Sequence, residues 1–197
     1  LQQVPREHVV VIQERPFNKA LQVGYEVGLD GHLPWTLCLD ADVFLSKTAI
    51  PHLLTLAREL GKDALGIQGR VLDKFFGGDR PGGPHLYRTC LLEKARALIP
   101  NSYQSMRPET YVMRQMAARG HDWYLAKDVV ALHDYEQFYR DVYRKMVVQA
   151  RKGSPHVPYL LSRALSLLAD DLDYKIAAHG LCAGLNREGT LVLDASA

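Results

Sequence analysis

The chain has 197 residues, of which 47% are hydrophobic and 23% charged, a composition that suits one globular domain with a real core. Its net charge of +2 is too balanced to predict a nucleic-acid binder. No apolar run approaches the roughly 20 residues of a transmembrane helix, no signal peptide is expected, and the three cysteines form no close pair, so a cytoplasmic location is predicted.

The first half of the chain alternates strand-like and helix-like segments. Its first segment, His8–Gln13, is rich in β-branched residues and predicts a buried strand. The predicted elements that follow are a helix at 18–27, a strand at 35–39, a helix from about 48 to 60 and a strand at 64–71. This order predicts an α/β fold with a mostly parallel sheet flanked by helices.

The second half of the chain changes character. Residues 75–84 contain four glycines and two prolines and are predicted to form a loop. The predicted elements after it are helices at 89–98 and 108–120, a strand at 128–132, and helices at 134–152 and 158–171. We therefore expect a domain over 1–152, with a C-terminal helical extension and a tail over 153–197 that is loosely ordered from Gly184.

Two aspartates, Asp40 and Asp42, follow the apolar strand at 35–39. Carboxylates beside a buried strand are costly unless something neutralises them, and a hard divalent cation bound to phosphates would do so. Side chains at i and i+2 of a strand share a face, and open α/β sheets bind ligands at their strand ends. The simpler alternative is that one aspartate caps the next helix and the other is solvated.

Two other residues lie where chemistry could be performed. His133 follows an apolar strand, so it could complete a metal shell or contact a phosphate, or it could be only structural. Glu109 opens a helix, where negative charge is favourable in any case. Its functional role would be that of a general base toward an acceptor hydroxyl.

The order of these features resembles the nucleotide-sugar glycosyltransferases of GT-A fold, especially family 2. The matching segments are Asn18–Leu21, Pro34–Val43, Gly82–Arg88, Arg107–Thr110 and Val130–His133, within about residues 8–150. The resemblance implies transfer of a sugar from a nucleotide-sugar donor, most simply a UDP-sugar, to an acceptor hydroxyl. It also implies a Mn²⁺ or Mg²⁺ cofactor and inversion at the anomeric carbon.

The same resemblance implies a role for each residue of the donor site. Asp42 would ligate the metal bound to the donor diphosphate, and Asp40 would contact the ribose or help to hold the metal. His133 would complete the metal or phosphate shell. Gly82 and Gly83 would form the acceptor-side loop of the donor site.

The resemblance also implies a catalytic base. Glu109 falls at the acidic pair that supplies the base in inverting members. That pair is usually Glu-Asp, whereas this chain has Thr110 after Glu109, so Asp122 and Asp134 remain alternatives. The family begins with two further strands that hold the nucleoside base, and we expect them to be missing here.

Other functions stay open on the sequence. A truncated or decayed transferase domain would be a non-catalytic binding or assembly module. A nucleotidyltransferase has a similar fold, but it needs a Gly-rich basic loop near its N-terminus, which the sequence lacks. Basic residues of the predicted helix at 134–152 could contact a membrane surface peripherally, although a solvated face is the commoner outcome.

Overall fold

The computed structural model describes residues 3–101, 105, 107–152 and 155–188. These residues separate into two compact units. Apart from the gaps just given, unit 1 contains residues 3–72 and 79–132, and unit 2 contains residues 73–78 and 133–188. Each unit has its own buried apolar core.

The sheet and the first helices belong to unit 1, with only the strand-terminal residues Asp73, Gly78 and His133 assigned to unit 2. The strands are β1 (Trp35–Cys38), β2 (Val43–Leu45), β3 (Gly66–Asp73), β4 (Gly78–Arg88) and β5 (Trp123–His133). The helices are α1 (Phe17–Asp30), α2 (Ala49–Glu59), α3 (Leu92–Arg96) and α4 (Pro108–Ala117). The predicted α/β class is therefore confirmed.

The prediction of a mostly parallel sheet is wrong, because the sheet is mixed. The strand order is β1-β4-β3-β5-β2, and β1 runs antiparallel to β4, with Cys38 opposite His85. Only residues 74–77 separate β3 from β4, which are neighbours in the sheet. So short a connection permits only an antiparallel pair, since parallel neighbours need a long crossover.

Most of the predicted loop at 75–84 is strand β4, and its glycines are needed for packing. A Cβ atom on Gly82 would lie 2.9 Å from Cγ2 of Val71 on the neighbouring strand. A Cβ on Gly69 would lie 2.9 Å from the Pro84 ring. Small residues therefore allow close approach inside the sheet, where the composition alone indicated a loop.

The predicted strand at His8–Gln13 is also wrong, because residues 9–14 form neither strand nor helix. The side chains of Val9, Val10 and Val11 are 54%, 56% and 78% exposed. A preference of β-branched residues for strands has an effect only where a neighbouring strand and a covering layer are available.

Alternate residues of β4 face two different helical layers of unit 1. Leu86 packs with α2 residues such as Leu53, whereas Tyr87 packs with α1 and α4 residues that include Tyr25 and Met116. Neighbouring residues of a strand point to opposite faces, so helices cover both sides of β4. The predicted helices of this unit are confirmed within a few residues of their ends.

The described residues of unit 2 form α5 (Tyr139–Arg151), α6 (Val157–Leu167) and α7 (Leu172–Leu185), together with the segments 73–78 and 133–138. The sequence did not predict α7, because its small and apolar residues show little amphipathic pattern. Gly184, where we expected loose order to begin, is a buried residue of this helix. No helix in the described part of the chain is long and apolar enough to cross a membrane.

Helices α5 and α7 approach each other closely at two glycines. A Cβ atom on Gly180 would lie 2.6 Å from the carbonyl oxygen of Tyr143, and one on Gly184 would lie 2.6 Å from that of Val147. Residues four apart share a helix face, so the backbone of α7 contacts the backbone of α5 along one line.

Candidate functional site

Strand pairing in unit 1 brings Asp40 to Gly83. Cys38 of β1 lies opposite His85 of β4, and the chain then reaches Asp40, beside Gly83. A Cβ atom on Gly83 would lie 3.4 Å from Oδ2 of Asp40 and 3.7 Å from Nδ1 of His85. Gly83 therefore has two polar side chains beside its bare Cα, whereas Gly82 faces Val71 on the other side of the strand.

The two aspartates follow β1, as predicted, but they lie on a turn, whereas the argument for a shared face assumed extended geometry. β1 ends at Cys38 and β2 begins at Val43, whose backbone N–H donates to the carbonyl of Asp40 at 3.2 Å. Asp40 is exposed, and Asp42 is half-buried. The argument that strand geometry sets both carboxylates on one face therefore does not apply, and the turn determines their directions.

Glu109 lies in the first turn of α4 and is joined to two residues of β4. Its Oε1 accepts a hydrogen bond from the Tyr87 hydroxyl at 2.6 Å and lies 3.1 Å from Nδ1 of His85. His85 and Tyr87 are two residues apart on β4, so they share a face of the strand. The structure thus connects Glu109, through His85, with the region of Gly83 and Asp40.

Aromatic rings surround this carboxylate. The Trp123 ring centroid lies 5.6 Å from that of His85 and 5.1 Å from that of Tyr87, and the Tyr25 ring lies edge-on to Tyr87 at 5.2 Å. The Trp123 indole N–H donates to Oε1 of Gln68 at 3.3 Å. These contacts hold the His85 and Tyr87 side chains in fixed positions.

Burial and nearby carboxylates keep the neighbouring acids neutral. Burial, and then the negative charge of Glu109, raises the pKa values of Tyr25 and Tyr87 well above 10. Burial raises the pKa of the Cys38 thiol to about 12, with smaller contributions from Glu109 and Asp40. Because these phenols and this thiol keep their protons, they do not act as bases. The groups of this region that could accept a proton are its carboxylates and the imidazole.

His133 lies in unit 2, where two carboxylates contact it. Its Nδ1 lies 2.9 Å from Oδ2 of Asp73 and 3.0 Å from Oδ2 of Asp134. Burial lowers the pKa of His133, but the hydrogen bonds to Asp134 and Asp73 outweigh burial and raise it from 6.5 to about 9. Without a metal, His133 is therefore a protonated, ion-paired residue at neutral pH.

The alternative bases differ in their surroundings. Asp134 is 3% exposed and forms ion pairs with His133 and Lys145 in unit 2, so both of its neighbours are cations that stabilise its carboxylate. Asp122 is exposed just before β5 in unit 1. Of the two candidate bases in unit 1, Glu109 is the one that contacts His85, which lies beside Gly83 and Asp40.

His85 contacts a predicted site residue, Glu109, but was not among the predicted set. Asp40, Gly83 and Glu109 of the predicted set lie together in unit 1, Asp42 follows Asp40 on the same turn, and His133 belongs to unit 2. His85 was part of the matching segment Gly82–Arg88 but received no role, because a loop gives no facing rule. Reading the segment as a strand would have placed His85 and Tyr87 on one face.

Comparison with known proteins adds no relative to this description. The chain matches no protein-family model, no curated protein and no solved structure. The function proposed below rests on the sequence and on the geometry just described.

Proposed function

We propose that this chain is a metal-dependent glycosyltransferase of GT-A type, which moves a sugar from a nucleotide-sugar donor to an acceptor hydroxyl with inversion. One observation carries the proposal. Asp40, Gly83 and Glu109, which were predicted from three separate segments, surround the same part of β4 in unit 1. A donor-side carboxylate and an acceptor-side carboxylate are what this reaction requires of the protein.

The donor set suits a hard cation. Asp42 and Asp40 offer carboxylate oxygens, the ligands that Mg²⁺ and Mn²⁺ prefer. When bound, the metal would neutralise charge on the departing nucleoside diphosphate. His133 stays a proposed third ligand from the sequence, and its ion pairs with Asp73 and Asp134 mean that it would first have to release a proton.

The remaining work falls to residues of unit 1. Gly83, without a side chain, lets Asp40 and His85 lie close to the backbone of β4, and we propose that this part of unit 1 faces the sugar. On the acceptor side, Glu109 and the groups joined to it would accept the hydroxyl proton as the new glycosidic bond forms, a contribution typically worth about 10²–10⁴-fold in rate. A UDP-sugar remains the first donor to test.

The test of this function combines calorimetry and turnover. We expect UDP to bind the wild-type protein only with Mn²⁺ or Mg²⁺ present, and UDP-sugars to be consumed in the presence of acceptors. Asp42→Ala should abolish both, because it removes the principal metal ligand. Asp30→Ala, at the exposed end of α1, is the matched control. Donor turnover unchanged in Asp42→Ala would reject the site.

One observation favours a second candidate, a non-catalytic binding or assembly module. Residues 9–14 form no strand, and Val9, Val10 and Val11 are exposed, so this segment adds nothing to a nucleoside pocket. A protein whose circular dichroism shows a folded chain, but which binds no UDP with either metal, would support this candidate and reject the enzyme.

A further inference from the structure

We infer that the atom which accepts the hydroxyl proton is Nε2 of His85, and that Glu109 is a positioning residue acting through Nδ1 of that imidazole. This inference rests on the proposed glycosyl transfer and assigns its proton acceptor. Glu109 was the base expected from the sequence, and His85 had no role.

The contacts of Glu109 determine which nitrogen of His85 carries the proton. Its Oε1 already accepts the Tyr87 hydroxyl at 2.6 Å and faces Nδ1 of His85 at 3.1 Å. The carboxylate can only accept hydrogen bonds when ionised, and two lone pairs at this distance would repel each other. The proton of a neutral His85 therefore belongs on Nδ1, which leaves the lone pair of the ring on Nε2.

The surroundings of the imidazole favour Nε2 as the atom that accepts the proton. Within the described residues, Nε2 of His85 makes no hydrogen bond, and the side chain is 8% exposed. The Tyr87 and Trp123 rings pack beside the imidazole, with centroids 6.1 and 5.6 Å away. A fixed ring with a free acceptor nitrogen is the arrangement that general-base catalysis requires.

His85 also lies near Gly83, a residue of the proposed donor site. Its Nδ1 lies 3.7 Å from the position of a Cβ on Gly83, whose other neighbour is Asp40. His85 therefore connects Glu109 with Gly83 in this series of neighbours.

The proposed transfer forms one bond and breaks one. The acceptor oxygen forms a bond to the anomeric carbon with a lone pair, and the bond from that carbon to the diphosphate breaks, its electron pair leaving with the nucleoside diphosphate. The hydroxyl proton moves to Nε2 of His85. The imidazolium that results is stabilised by Glu109 and returns the proton to solvent after product release.

Two substitutions test whether His85 or Glu109 accepts the hydroxyl proton. His85→Asn keeps a donor near the position of Nδ1 but has no basic nitrogen, whereas Glu109→Gln keeps an acceptor oxygen for Tyr87 and His85 but has no charge. We expect His85→Asn to lower kcat by about 10²–10⁴-fold with little change in the affinity for UDP and metal. Glu109→Gln should retain more activity and shift the acid limb of the pH profile of kcat.

Chemical rescue and controls complete the experiment. Added imidazole should restore turnover to His85→Ala and leave Glu109→Gln unchanged, which a purely structural histidine would not produce. His179→Asn, on an exposed position of α7, is the matched control. Circular dichroism and UDP affinity identify any variant that has failed to fold, and for such a variant His85→Gln is measured instead.

The outcomes distinguish the inference from the function on which it rests. A wild-type protein that transfers sugar while His85→Asn keeps most of its kcat, or while Glu109→Gln is the inactive variant, overturns the role of His85 alone. A wild-type protein that turns over no nucleotide sugar overturns the proposed function and the inference together.

Discussion

Each unit contains a buried histidine beside carboxylates, and the two sites differ in what the carboxylates do. In unit 2, Nδ1 of His133 contacts both Asp73 and Asp134, and its pKa rises to about 9. In unit 1, Glu109 is the carboxylate that contacts Nδ1 of His85 among the described residues, and it is shared with the hydroxyl of Tyr87. Two carboxylates hold the His133 imidazole in its charged form, and one shared carboxylate contacts the His85 ring.

The comparison assigns opposite tasks to similar residues. A histidine that keeps its proton over the physiological range strengthens the fold of unit 2 but cannot accept a further proton. His85, the proposed proton acceptor, contacts one carboxylate and makes no hydrogen bond through Nε2 among the described residues. The number of carboxylates, and not burial alone, separates a structural from a proposed catalytic imidazole here.

The largest effect is expected when Asp73 is removed. Asp73 is 1% exposed, and its Oδ1 accepts the backbone N–H groups of Phe75 and Phe76 at 3.0 Å while its Oδ2 contacts His133. Asp73→Ala leaves these donors without that partner and should lower the free energy of unfolding by about 3–5 kcal/mol in urea titrations. Asp79→Ala, which breaks the exposed pair with Arg70, should cost less than about 1 kcal/mol. Equal losses of unfolding free energy in Asp73→Ala and Asp79→Ala would mean that the buried carboxylate beside His133 stabilises the fold no more than an exposed ion pair.

A smaller effect is expected from pH. Because the pKa of His133 is raised from 6.5 to about 9 in the folded state, its contribution to stability is complete below pH 6.5 and is lost as the pH rises to about 9. The loss should approach about 3 kcal/mol at roughly 1.4 kcal/mol per pKa unit. Urea unfolding in EDTA buffers at pH 6 to 9 measures it, and His133→Gln should flatten the profile. A profile equally steep in that variant would contradict the assignment.

The smallest effect is expected in unit 1. Tyr87→Phe removes the hydroxyl that donates to Glu109 and should lower the free energy of unfolding by about 1.5 kcal/mol, the low end for hydrogen bonds to charged groups, because Glu109 is 19% exposed and can be rehydrated. The same titrations measure it, with Tyr159→Phe as a control at a more exposed hydroxyl. A loss as large as that of Asp73→Ala would mean that Glu109 is a structural carboxylate like those around His133.

The local features of the fold could be predicted from the sequence. The helices that became α1, α2 and α4 have apolar residues at helical spacing, and Pro108 opens α4 where a proline is tolerated. The α/β class follows from the alternation of such helices with apolar runs. These are properties of neighbouring residues, so one sequence carries them.

The features that depend on distant partners could not be predicted. The direction of the strands, the lone segment at 9–14 and the glycine-rich strand β4 are decided by which segments lie beside them, and composition does not record that. The same applies to the site. Asp40 and Glu109 were found from their positions at element ends, whereas His85 gained significance only when pairing placed it between them.

The glycine line between α5 and α7 has a consequence for recognising distant relatives of this chain. At Gly180 and Gly184 even a methyl group would overlap a carbonyl oxygen of α5, so any homologue that keeps this helix pair is confined to glycine at both sites or must move the helices apart. Catalytic residues can be replaced when activity is lost, but steric exclusion persists for as long as the fold does. A glycine pair spaced by four in the last helix is therefore a search criterion that remains valid for inactive relatives as well.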